Sequence, residues 1–460
     1  MTPANEATLV LDIGKTNVKL VLVDVDGAVL AERRSPNTIL TEGPYPHHDT
    51  DRIWNWLLDG MGQLSSVARI GAIVSVTHGA TAALVDDDGL VLPVLDYEFE
   101  PPEEEGERYA DQRPPYSSTH SPQLPAGLNL GRQLAWQAQA FPNQFGRARH
   151  ILMYPQYWAW RLCGVAASEV TSLGCHTDLW QPSRQQYSAL VERMGWNDLF
   201  PPMQPAWATL GALKPELARR TGLPADCRVL CGIHDSNASL LRHFAGMDDR
   251  KGESPLAVLS TGTWVIAAAP GKPLEGLREA ADMLANSNAM GQSVACMRFM
   301  GGREFAELAG ADAEVCSVDD LRLLIARQTM ALPCYSQAGG PFAGRAGEIV
   351  GTAPQDSPQR YALATMYCVL MSDYCLTQLG VDGDVVVEGS YTGNPWFAPL
   401  LAALRPRQQI SSTDDASGTT CGGWMLHHWG SAPAVRSTVA TPPELPGWIE
   451  YRQRWLASLQ

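Results

Sequence analysis

Residues 9–22 constrain the fold more than any other part of the sequence. Apolar residues at positions 9–11 and at positions 18 and 20–22 flank the short polar stretch 12–17. Apolar runs of strand length on either side of a polar turn that contains glycine are typical of a β-hairpin with buried strands. The sequence therefore predicts a fold that begins with a buried hairpin and holds a polar tip at its end.

The tip of this hairpin has the groups that bind a triphosphate. Gly14 allows backbone to approach an anion closely, and Lys15, Thr16 and Asn17 can donate hydrogen bonds. Asp12 leaves the end of a buried strand and is well placed to hold a magnesium ion through water. From this segment alone, an ordinary hairpin with a glycine turn remains an equal alternative.

The tip also contains the tripeptide Gly14-Lys15-Thr16, which matches the end of a Walker A loop. That motif requires a glycine five residues before Gly14, where this chain has Leu9. A P-loop of the usual kind is therefore excluded.

Length and charge limit the possible functions. A chain of 460 residues with 45% hydrophobic residues is too long for one core, so two domains are expected. The net charge of −15, from 49 acidic and 34 basic residues, argues against a nucleic acid or an anionic membrane as a partner. Any phosphate that the protein binds must be held locally.

Apolar runs and cysteines indicate the compartment. No run approaches the roughly twenty apolar residues of a membrane span, and residues 1–8 lack the pattern of a signal peptide, so a cytoplasmic protein is expected. The ten cysteines form no CxxC pair and are expected to be buried thiols. A zinc site at Cys227 and Cys231 is not expected because it lacks two further ligands.

Two turns in the first half carry candidate chemistry. The predicted strand 71–76 runs into Thr77-His78-Gly79, from which His78 could reach a ligand or simply bond to loop carbonyls. Within residues 229–241, a strand ends at Gly232 and a helix begins at Ser236, so that His234 and Asp235 lie on the turn. Asp235 fits either an ordinary helix N-cap or a base that accepts a proton from a sugar hydroxyl.

The acidic and proline-rich stretch 98–121 is predicted to be a solvated loop. A charged break at residues 248–253 marks the expected domain boundary. Residues 256–268 then repeat the opening pattern, with the tip Ser260-Thr261-Gly262-Thr263 between two apolar strands. One such hairpin at the head of each half suggests a duplicated fold.

Two further segments in the second half are rich in glycine and small residues. Residues 385–390 are predicted to form a strand that enters a glycine turn, with Asn394 just beyond it. This turn could hold a nucleotide base or ribose, or could be a simple connection. Residues 416–423 begin a helix with small residues, as close packing or the approach of a ligand would require.

Taken in order, these motifs resemble the FGGY carbohydrate kinases over nearly the whole chain. Each motif alone is weak, but five in the family's order make the resemblance strong. They are DIGKTN at 12–17, GIHDSNA at 232–238, STGTW at 260–264, EGSYTGN at 388–394 and SGTTCGG at 417–423.

The resemblance implies an α/β fold with two actin-like, ribonuclease H-like domains and a catalytic cleft between them. Residues 1–246 would form the N-terminal domain, with the sugar site, the first phosphate loop and the catalytic base. Residues 247–460 would form the C-terminal domain, with the second phosphate loop and the adenosine site. The implied cofactors are ATP and Mg²⁺.

Site residues follow from the resemblance position by position. Asp235 matches the catalytic base and, with Asp12, a metal position. The residues implied to bind phosphate are Gly14, Lys15, Thr16 and Asn17 in the first loop and Thr261, Gly262 and Thr263 in the second. Those implied to lie at adenosine are Gly389, Ser390, Asn394 and Gly418, where Ser390 departs from the family's usual double glycine. Those implied to bind sugar are His78, Gly79, His234 and Asp235.

The reaction implied is transfer of the γ-phosphate of ATP to a terminal hydroxyl of a ketose. The His234-Asp235 pair and residues 286–288 look like the rhamnulokinase and fuculokinase branch, which favours a 6-deoxy ketohexose such as L-rhamnulose or L-fuculose. Thr77-His78-Gly79 is similar to the sugar-contacting turn of xylulose kinases, and Thr81 stands where deoxyketose kinases tend to have aspartate. A pentulose such as xylulose or ribulose is therefore the alternative substrate.

Two alternatives belong to other classes of protein. An actin-like ATPase that works as a conformational machine would share the phosphate hairpins without needing a sugar base. A degenerate sugar-binding regulator would have lost the chemistry, which the presence of both Asp12 and Asp235 disfavours. The oligomeric state is left open, with a homodimer as one alternative.

Overall fold

The computed structural model of the chain describes residues 6–244, 256–336, 339–413, 418–431 and 437–459. The predicted domain boundary between residues 246 and 247 lies outside these residues, as do the charged break at 248–253 and Ser417 of the last motif. No helix within the described residues is long and apolar enough to cross a membrane.

The chain is a mixed α/β structure, as predicted. Its strands are β1 (Ala7–Ile13), β2 (Asn17–Val23), β3 (Val29–Pro36), β4 (Ile39–Leu40), β5 (His47–His48), β6 (Ile70–Thr77), β7 (Ala82–Val85), β8 (His150–Met153), β9 (Trp180–Gln181), β10 (Gln186–Tyr187), β11 (Thr209–Ala212), β12 (Arg228–Leu230), β13 (Ile233–His234), β14 (Leu256–Thr261), β15 (Val265–Pro270), β16 (Met283–Ser287), β17 (Ser293–Phe299), β18 (Met330–Leu332), β19 (Glu348–Val350), β20 (Asp384–Gly389), β21 (Ile410–Thr413) and β22 (Ser437–Val439).

The helices alternate with these strands along much of the chain. They are α1 (Thr50–Leu64), α2 (Glu103–Gln112), α3 (Tyr116–Thr119), α4 (Leu130–Ala140), α5 (Pro142–Phe145), α6 (Tyr154–Cys163), α7 (Val170–Leu173), α8 (Ala189–Arg193), α9 (Pro215–Thr221), α10 (Asp235–Phe244), α11 (Gly301–Ala309), α12 (Val318–Arg327), α13 (Ser357–Gln378), α14 (Phe397–Leu404), α15 (Gly418–His427) and α16 (Trp448–Ala457).

The chain divides into two compact units. The first comprises Met1–Asp249 together with Ala285–Ser293 and Ser417–Pro433. The second comprises the remaining segments, Arg250–Leu284, Val294–Ala416 and Ala434–Gln460. Two short segments of the second half of the sequence therefore pack with the first unit.

The first unit is built on a sheet with strand order β11-β12-β6-β1-β2-β3, and β13 also pairs with β6. The predicted hairpin is confirmed, because β1 and β2 pair antiparallel from Thr8↔Val23 to Ile13↔Val18. β6 lies parallel to β1 on its other side, and β12 and β13 lie parallel to β6. The carboxyl ends of β1, β6 and β13 therefore point the same way.

Side chains of β1 alternate between two cores. Leu9 and Leu11 belong to a cluster that includes residues of α1 and α6, whereas Val10 packs in a cluster with residues of α10 and α15. A strand covered on both faces needs apolar residues at every position, which explains the continuous apolar run in the sequence.

The second unit has the sheet order β16-β17-β15-β14-β20-β21-β22. β14 and β15 form an antiparallel hairpin, and β20 and β21 continue the sheet in parallel from β14. β17 and β22 pair antiparallel at either side of this group, as β3 and β11 do in the first sheet. The two sheets thus repeat one pattern of strand directions, which agrees with the predicted duplication.

The stretch 98–121 differs from the predicted loop, because α2 and α3 lie within it. α2 is held by buried contacts at its far end. Tyr109 Oη donates a hydrogen bond to Asp178 (2.8 Å), and the Arg113 guanidinium pairs with the same carboxylate (3.3 Å). These contacts are distant in sequence, so the composition of the stretch did not reveal them.

Candidate active site

Asp12 lies near the end of β1 with its side chain only 8% exposed. Its Oδ2 atom accepts hydrogen bonds from Lys19 Nζ (3.2 Å) and from Thr419 Oγ1 of α15 (3.0 Å). Among the described contacts, Oδ1 has no protein partner. The carboxylate is therefore held in place through one oxygen while the other remains available.

The first hairpin tip is a tight turn braced by Asn37. Gly14 N donates to Asn17 O (2.9 Å), and a Cβ atom at Gly14 would lie 3.2 Å from that same oxygen. Asn37 donates from its side chain to Gly14 O (2.8 Å) and from its backbone to Thr16 O (2.8 Å). Asn17 Nδ2 donates to Thr16 Oγ1 (3.1 Å). These bonds define the shape of the loop predicted to bind phosphate.

Lys15 has acidic partners inside the first unit. Its ammonium group pairs with Asp96 and lies 3.4 Å from Glu98 Oε2, and it lies over the ring of Tyr97 at 4.8 Å. The structure therefore places this side chain in a partly buried ion pair.

The turn that carries His234 and Asp235 joins β13 to α10. Gly232 makes this turn possible, because it has a φ of +87° and a Cβ atom there would lie 2.5 Å from Ser75 O. Asp235 is the first residue of α10, and in the described contacts its carboxylate accepts nothing from the backbone N–H groups of Asn237 or Ala238. The ordinary N-cap bond is thus absent.

The bonds of Asp235 are confined to one oxygen. Oδ1 accepts from Ser236 N (2.6 Å) and Ser236 Oγ (3.2 Å), and it lies 3.2 Å from His234 Nε2. Asn237 Nδ2 donates to His234 Nδ1 (3.4 Å), so the histidine proton is on Nε2 and points at the carboxylate. Oδ2 has no protein partner within the part of the chain that the structure describes.

Burial sets the protonation of these groups. The enclosed surroundings raise the pKa of Asp235 to about 6, and the negative charge of Asp12 acts in the same direction. Burial lowers the pKa of His234 to about 4, so its imidazole is neutral at pH 7. Asp235 is therefore ionised near neutral pH but more basic than an exposed aspartate.

His78 follows the end of β6 and is buried. Its backbone N–H donates to Ile13 O (3.1 Å), and its Nδ1–H donates to Gly79 O (3.1 Å). Burial lowers the pKa of His78 to about 4, which leaves Nε2 as a lone-pair acceptor. This buried atom has no hydrogen-bond partner in the described residues.

Gly79 controls the space beside His234. A Cβ atom at this position would lie 2.6 Å from His234 Nε2, so any larger residue would displace the imidazole from Asp235. Asp12, His78, His234 and Asp235 thus lie at the carboxyl ends of three neighbouring parallel strands, the edge at which open α/β sheets bind ligands.

Sequence reasoning missed several residues of this site. His48 on β5 is 1% exposed, its ring lies 5.1 Å from that of His78, and neither of its nitrogens has a partner in the described chain. Lys19 and Thr419 orient Asp12. Nothing in the local pattern singled out these side chains, because the contacts join segments far apart in sequence.

In the second unit, the hairpin tip and the glycine turn are neighbours across the β14–β20 pair. Thr261 lies opposite Gly389, whose φ is +86° and whose Cβ would lie 2.0 Å from Thr261 O. Thr261 Oγ1 donates to Glu388 O and accepts from Tyr391 N (2.9 Å). Ser390 Oγ is 3.4 Å from Thr261 O. Thr261 of the predicted second phosphate loop is therefore a neighbour of two of the four predicted adenosine residues, Gly389 and Ser390.

The tip of this second hairpin is packed closely from one side. Gly262 N donates to Trp264 O (2.9 Å), and Gly302 N donates to Thr263 O (3.2 Å). A Cβ atom at Gly302 would lie 2.4 Å from Gly262 O, so only glycine fits beside the loop.

Asn394 and Gly418 have neighbours other than the Gly389 turn. Asn394 Nδ2 donates to Thr365 Oγ1 (2.9 Å), and its Oδ1 accepts from Trp396 N (3.0 Å). Gly418 belongs to the first unit, where a Cβ atom would lie 2.1 Å from Ser239 Oγ of α10. Gly418 is thus in a different unit from the Gly389 turn with which it was grouped.

Two family models match the chain and together cover most of it. Residues 7–242 match the FGGY family of carbohydrate kinases, N-terminal domain, and residues 253–435 match carbohydrate kinase FGGY, C-terminal domain.

Individual proteins are similar to the chain at different levels. An L-fuculokinase from Salmonella typhi is 30% identical over 277 residues, which is 57% of this chain and 56% of the relative; the chain thus matches little more than half the length of that protein. The crystal structure of a carbohydrate kinase from Novosphingobium aromaticivorans is 37% identical, with a TM-score of 0.91, and covers 98% of this chain and 100% of its own. A ligand-bound xylulose kinase from Lactobacillus acidophilus shares the fold, with a TM-score of 0.79 at 15% identity and 99% and 97% coverage.

Proposed function

Because this chain belongs to the FGGY family of carbohydrate kinases, we propose that it is an ATP-dependent kinase that phosphorylates a terminal hydroxyl of a ketose. The observation that carries the proposal is the state of Asp235. One of its oxygens is saturated by His234 and Ser236, the other has no partner in the described chain, and its pKa is raised to about 6. A general base needs this combination of a fixed orientation, a free oxygen and a pKa near the working pH.

In this mechanism, Asp235 Oδ2 accepts the proton of the sugar hydroxyl as the hydroxyl oxygen attacks the γ-phosphorus of ATP. A new O–P bond forms, the bond from the γ-phosphorus to the bridging oxygen breaks, and ADP leaves. The His234 Nε2–H keeps its proton throughout and holds Oδ1. His78 Nε2 accepts a hydrogen bond from another sugar hydroxyl, which satisfies its otherwise unpaired lone pair.

The phosphates of ATP are assigned to the two hairpin tips. We place Gly14, Lys15, Thr16 and Asn17 in the first loop and Thr261, Gly262 and Thr263 in the second. Of these, Lys15 requires the rearrangement of its pair with Asp96 before it can reach a phosphate. Gly389, Ser390, Asn394 and Gly418 are the residues proposed for adenosine, with Gly389 and Ser390 better supported because their neighbours include Thr261.

The carboxylates of the first unit suit Mg²⁺. Asp12 Oδ1 is free in the described contacts, and Asp12 interacts electrostatically with Asp235. No group of three or more metal-ligating side chains occurs among the described residues. Magnesium commonly uses one or two carboxylates together with water and substrate phosphates, so the free Oδ1 of Asp12 fits it, and Asp235, whose Oδ2 is the proposed base, would contribute to this metal position through its negative charge. When bound, the ion neutralises charge on the transferring phosphoryl group.

A 6-deoxy ketohexose such as L-fuculose or L-rhamnulose is the proposed sugar. The His234-Asp235 pair supports it, as do the L-fuculokinases found at 25–30% identity. A pentulose such as xylulose is the second candidate. It is favoured by His78, whose buried Nε2 atom is an unpaired acceptor in the described residues and which is followed by Gly79. It is also favoured by Thr81, whose hydroxyl lies 3.3 Å from His78 Nδ1.

We place the reaction in the cytoplasm, where ATP is available and the ten thiols stay reduced.

A coupled assay of ADP release tests the proposal. The purified protein is mixed with ATP, Mg²⁺ and, in turn, L-fuculose, L-rhamnulose, xylulose, ribulose and glycerol. At least one ketose is expected to stimulate ADP release, and Asp235→Asn is expected to lower kcat for it by a factor of about 100 to 10,000. Asp59→Asn, at an exposed site on α1, is the matched control and should leave kcat unchanged.

The same assay separates the other classes of protein. An actin-like ATPase would release ADP without sugar and tolerate Asp235→Asn, and a degenerate regulator would bind a sugar without turnover. Either result would overturn the kinase proposal. Stimulation by pentuloses alone would overturn the deoxyketose assignment.

A further inference from the structure

The turn that carries Asp235 is held by buried polar side chains of α6 and α7. Glu169 is 0% exposed and caps the N-terminus of α7. Its Oε2 atom accepts from Thr171 N (3.0 Å) and from Thr171 Oγ1 (2.5 Å). The Thr171 hydroxyl in turn accepts from His234 N (3.1 Å). A continuous chain of hydrogen bonds therefore runs from Glu169 to the residue next to Asp235.

The direction of the Thr171 hydroxyl depends on Glu169. A hydroxyl has one proton, and here that proton goes to the carboxylate, so that a lone pair faces the His234 N–H. Without an acceptor at position 169, the proton could turn elsewhere and the lone pair would no longer be fixed. The Glu169 carboxylate thus sets the polarity of the bond that anchors His234.

Gln156 anchors the preceding part of the turn. Its Nε2 group lies 3.1 Å from Cys231 O and 3.2 Å from Gly232 O, and donates to them. Gln156 and Thr171 are both fully buried. Buried side chains therefore hold the backbone by hydrogen bonds on both sides of Gly232, the residue with positive φ.

Burial of the Glu169 carboxyl costs free energy. Burial raises the pKa of its carboxyl to about 7, and its Oε1 has no partner among the described residues. An apolar residue of similar size would avoid this cost, so the carboxyl contributes something other than stability.

We propose that Glu169 is a positioning residue for Asp235, and that it acts through the Thr171 hydroxyl and the backbone of His234. This inference rests on the proposed function, in which Asp235 is the general base. Asp235 Oδ1 is held by its neighbours His234 and Ser236, so a shift of the His234 backbone moves the free Oδ2 away from the sugar hydroxyl. A misplacement of about 1 Å can lower a rate by about a hundredfold.

Paired variants test the chain of bonds. Thr171→Val removes the hydroxyl with little change in shape, and Thr171→Ser keeps it. Glu169→Met removes the acceptor, and Glu169→Gln keeps one. With the best ketose, we expect the Val and Met variants to lose at least about tenfold in kcat with KM for ATP unchanged. The Ser and Gln variants should stay within about threefold of the parent protein. If Thr171→Val does not fold, the Glu169 pair makes the same comparison.

A double-mutant cycle separates positioning from a structural role. In the Asp235→Asn background, Thr171→Val should cost less than about twofold, since the base that it positions is already gone. An equal loss in both backgrounds, or a folded Thr171→Val protein with the parent kcat, overturns the inference. Absence of sugar-dependent ADP release by the parent protein overturns the proposed function instead.

Discussion

The carboxylates near the candidate site differ in their surroundings, and this difference gives them different chemistry. Asp12 is paired with Lys19 and Thr419. Asp235 is 31% exposed and keeps one oxygen free, with a pKa of about 6. Glu169 is fully buried, with a pKa of about 7. At the scale of single residues, hydrogen-bond partners therefore determine which carboxylate oxygens remain free, and burial raises the pKa values of Asp235 and Glu169.

The buried Glu169 predicts a pH-dependent stability difference. Its pKa is about 7 in the folded protein and near 4.5 when unfolded, so below pH 4.5 both states are protonated. As the pH rises from 4.5 to 7, only the unfolded state ionises, and folding stability falls. Glu169→Gln lacks this effect and should gain stability over the parent by up to about 3 kcal/mol above pH 7. Urea unfolding at pH 5, 6, 7 and 8 measures the difference, and a constant difference would contradict it.

The ion pair between Lys15 and Asp96 predicts a loss of stability when Lys15 is replaced, and the same variant tests whether Lys15 binds phosphate. Lys15→Met leaves the buried carboxylate of Asp96 without its ammonium partner and should cost about 1–3 kcal/mol in unfolding free energy. Adding Asp96→Asn should recover part of this loss. If Lys15 acts only in this pair, KM for ATP changes less than about threefold in the Lys15→Met protein; a larger change would identify it as a phosphate ligand.

At the scale of elements, the position of α15 depends on two glycines that allow close contact with α10 and β1. Gly422 meets the backbone of α10, where a Cβ atom would lie 2.1 Å from Ala238 O, and Gly423 meets Val10 of β1 at 2.8 Å. Trp424, Met425 and Leu426 of the same helix pack in the core beside β1 and β6. This close approach also brings Thr419 to Asp12.

Gly422→Ala should therefore push α15 away from α10. Because a backbone oxygen cannot move aside as a flexible side chain can, we expect a loss of about 2–4 kcal/mol in unfolding free energy. Gly62→Ala is the matched control, since Gly62 lies within α1 of the same unit and its Cβ would be 3.8 Å from the nearest atom. That change should be neutral or should stabilise by up to about 1 kcal/mol. Equal effects of the two substitutions would refute this account of the packing.

At the scale of the whole molecule, the first unit is discontinuous in sequence. Its core includes Ala289 and the α15 residues Trp424, Met425 and Leu426, which are contributed by segments far downstream of α10. A fragment of residues 1–244 would expose the apolar face of β1 and β6 that these segments cover.

We expect this fragment to lack cooperative unfolding. Removal of α15 exposes large apolar side chains and leaves Asp12 without Thr419, so the fragment should bind a hydrophobic dye and lose near-UV circular dichroism. Thermal unfolding of the fragment and the full chain measures the difference. A cooperative transition of the fragment at the temperature of the first unit in the full chain would show that the two downstream segments are dispensable.

Local patterns determined a substantial part of this protein. The hairpin at residues 9–22, its repeat at 256–268 and the strand-to-helix turn at Asp235 all follow from apolar patterns and turn residues, which act over a few neighbouring residues. The motif order also identified the family, because glycine and small polar residues at the predicted phosphate loops are constrained by close backbone approach.

Only the tertiary structure decided which partners each polar group has. Lys15 forms an ion pair with Asp96, and Gly418 packs against α10. Hydrogen bonds through Thr171 connect Glu169 to His234, the residue next to Asp235. α2 formed where composition predicted a loop, because Asp178 supplied buried partners. These outcomes depend on contacts between residues that are distant along the chain, and the free energy of burying a polar group is set by those partners rather than by its sequence neighbours.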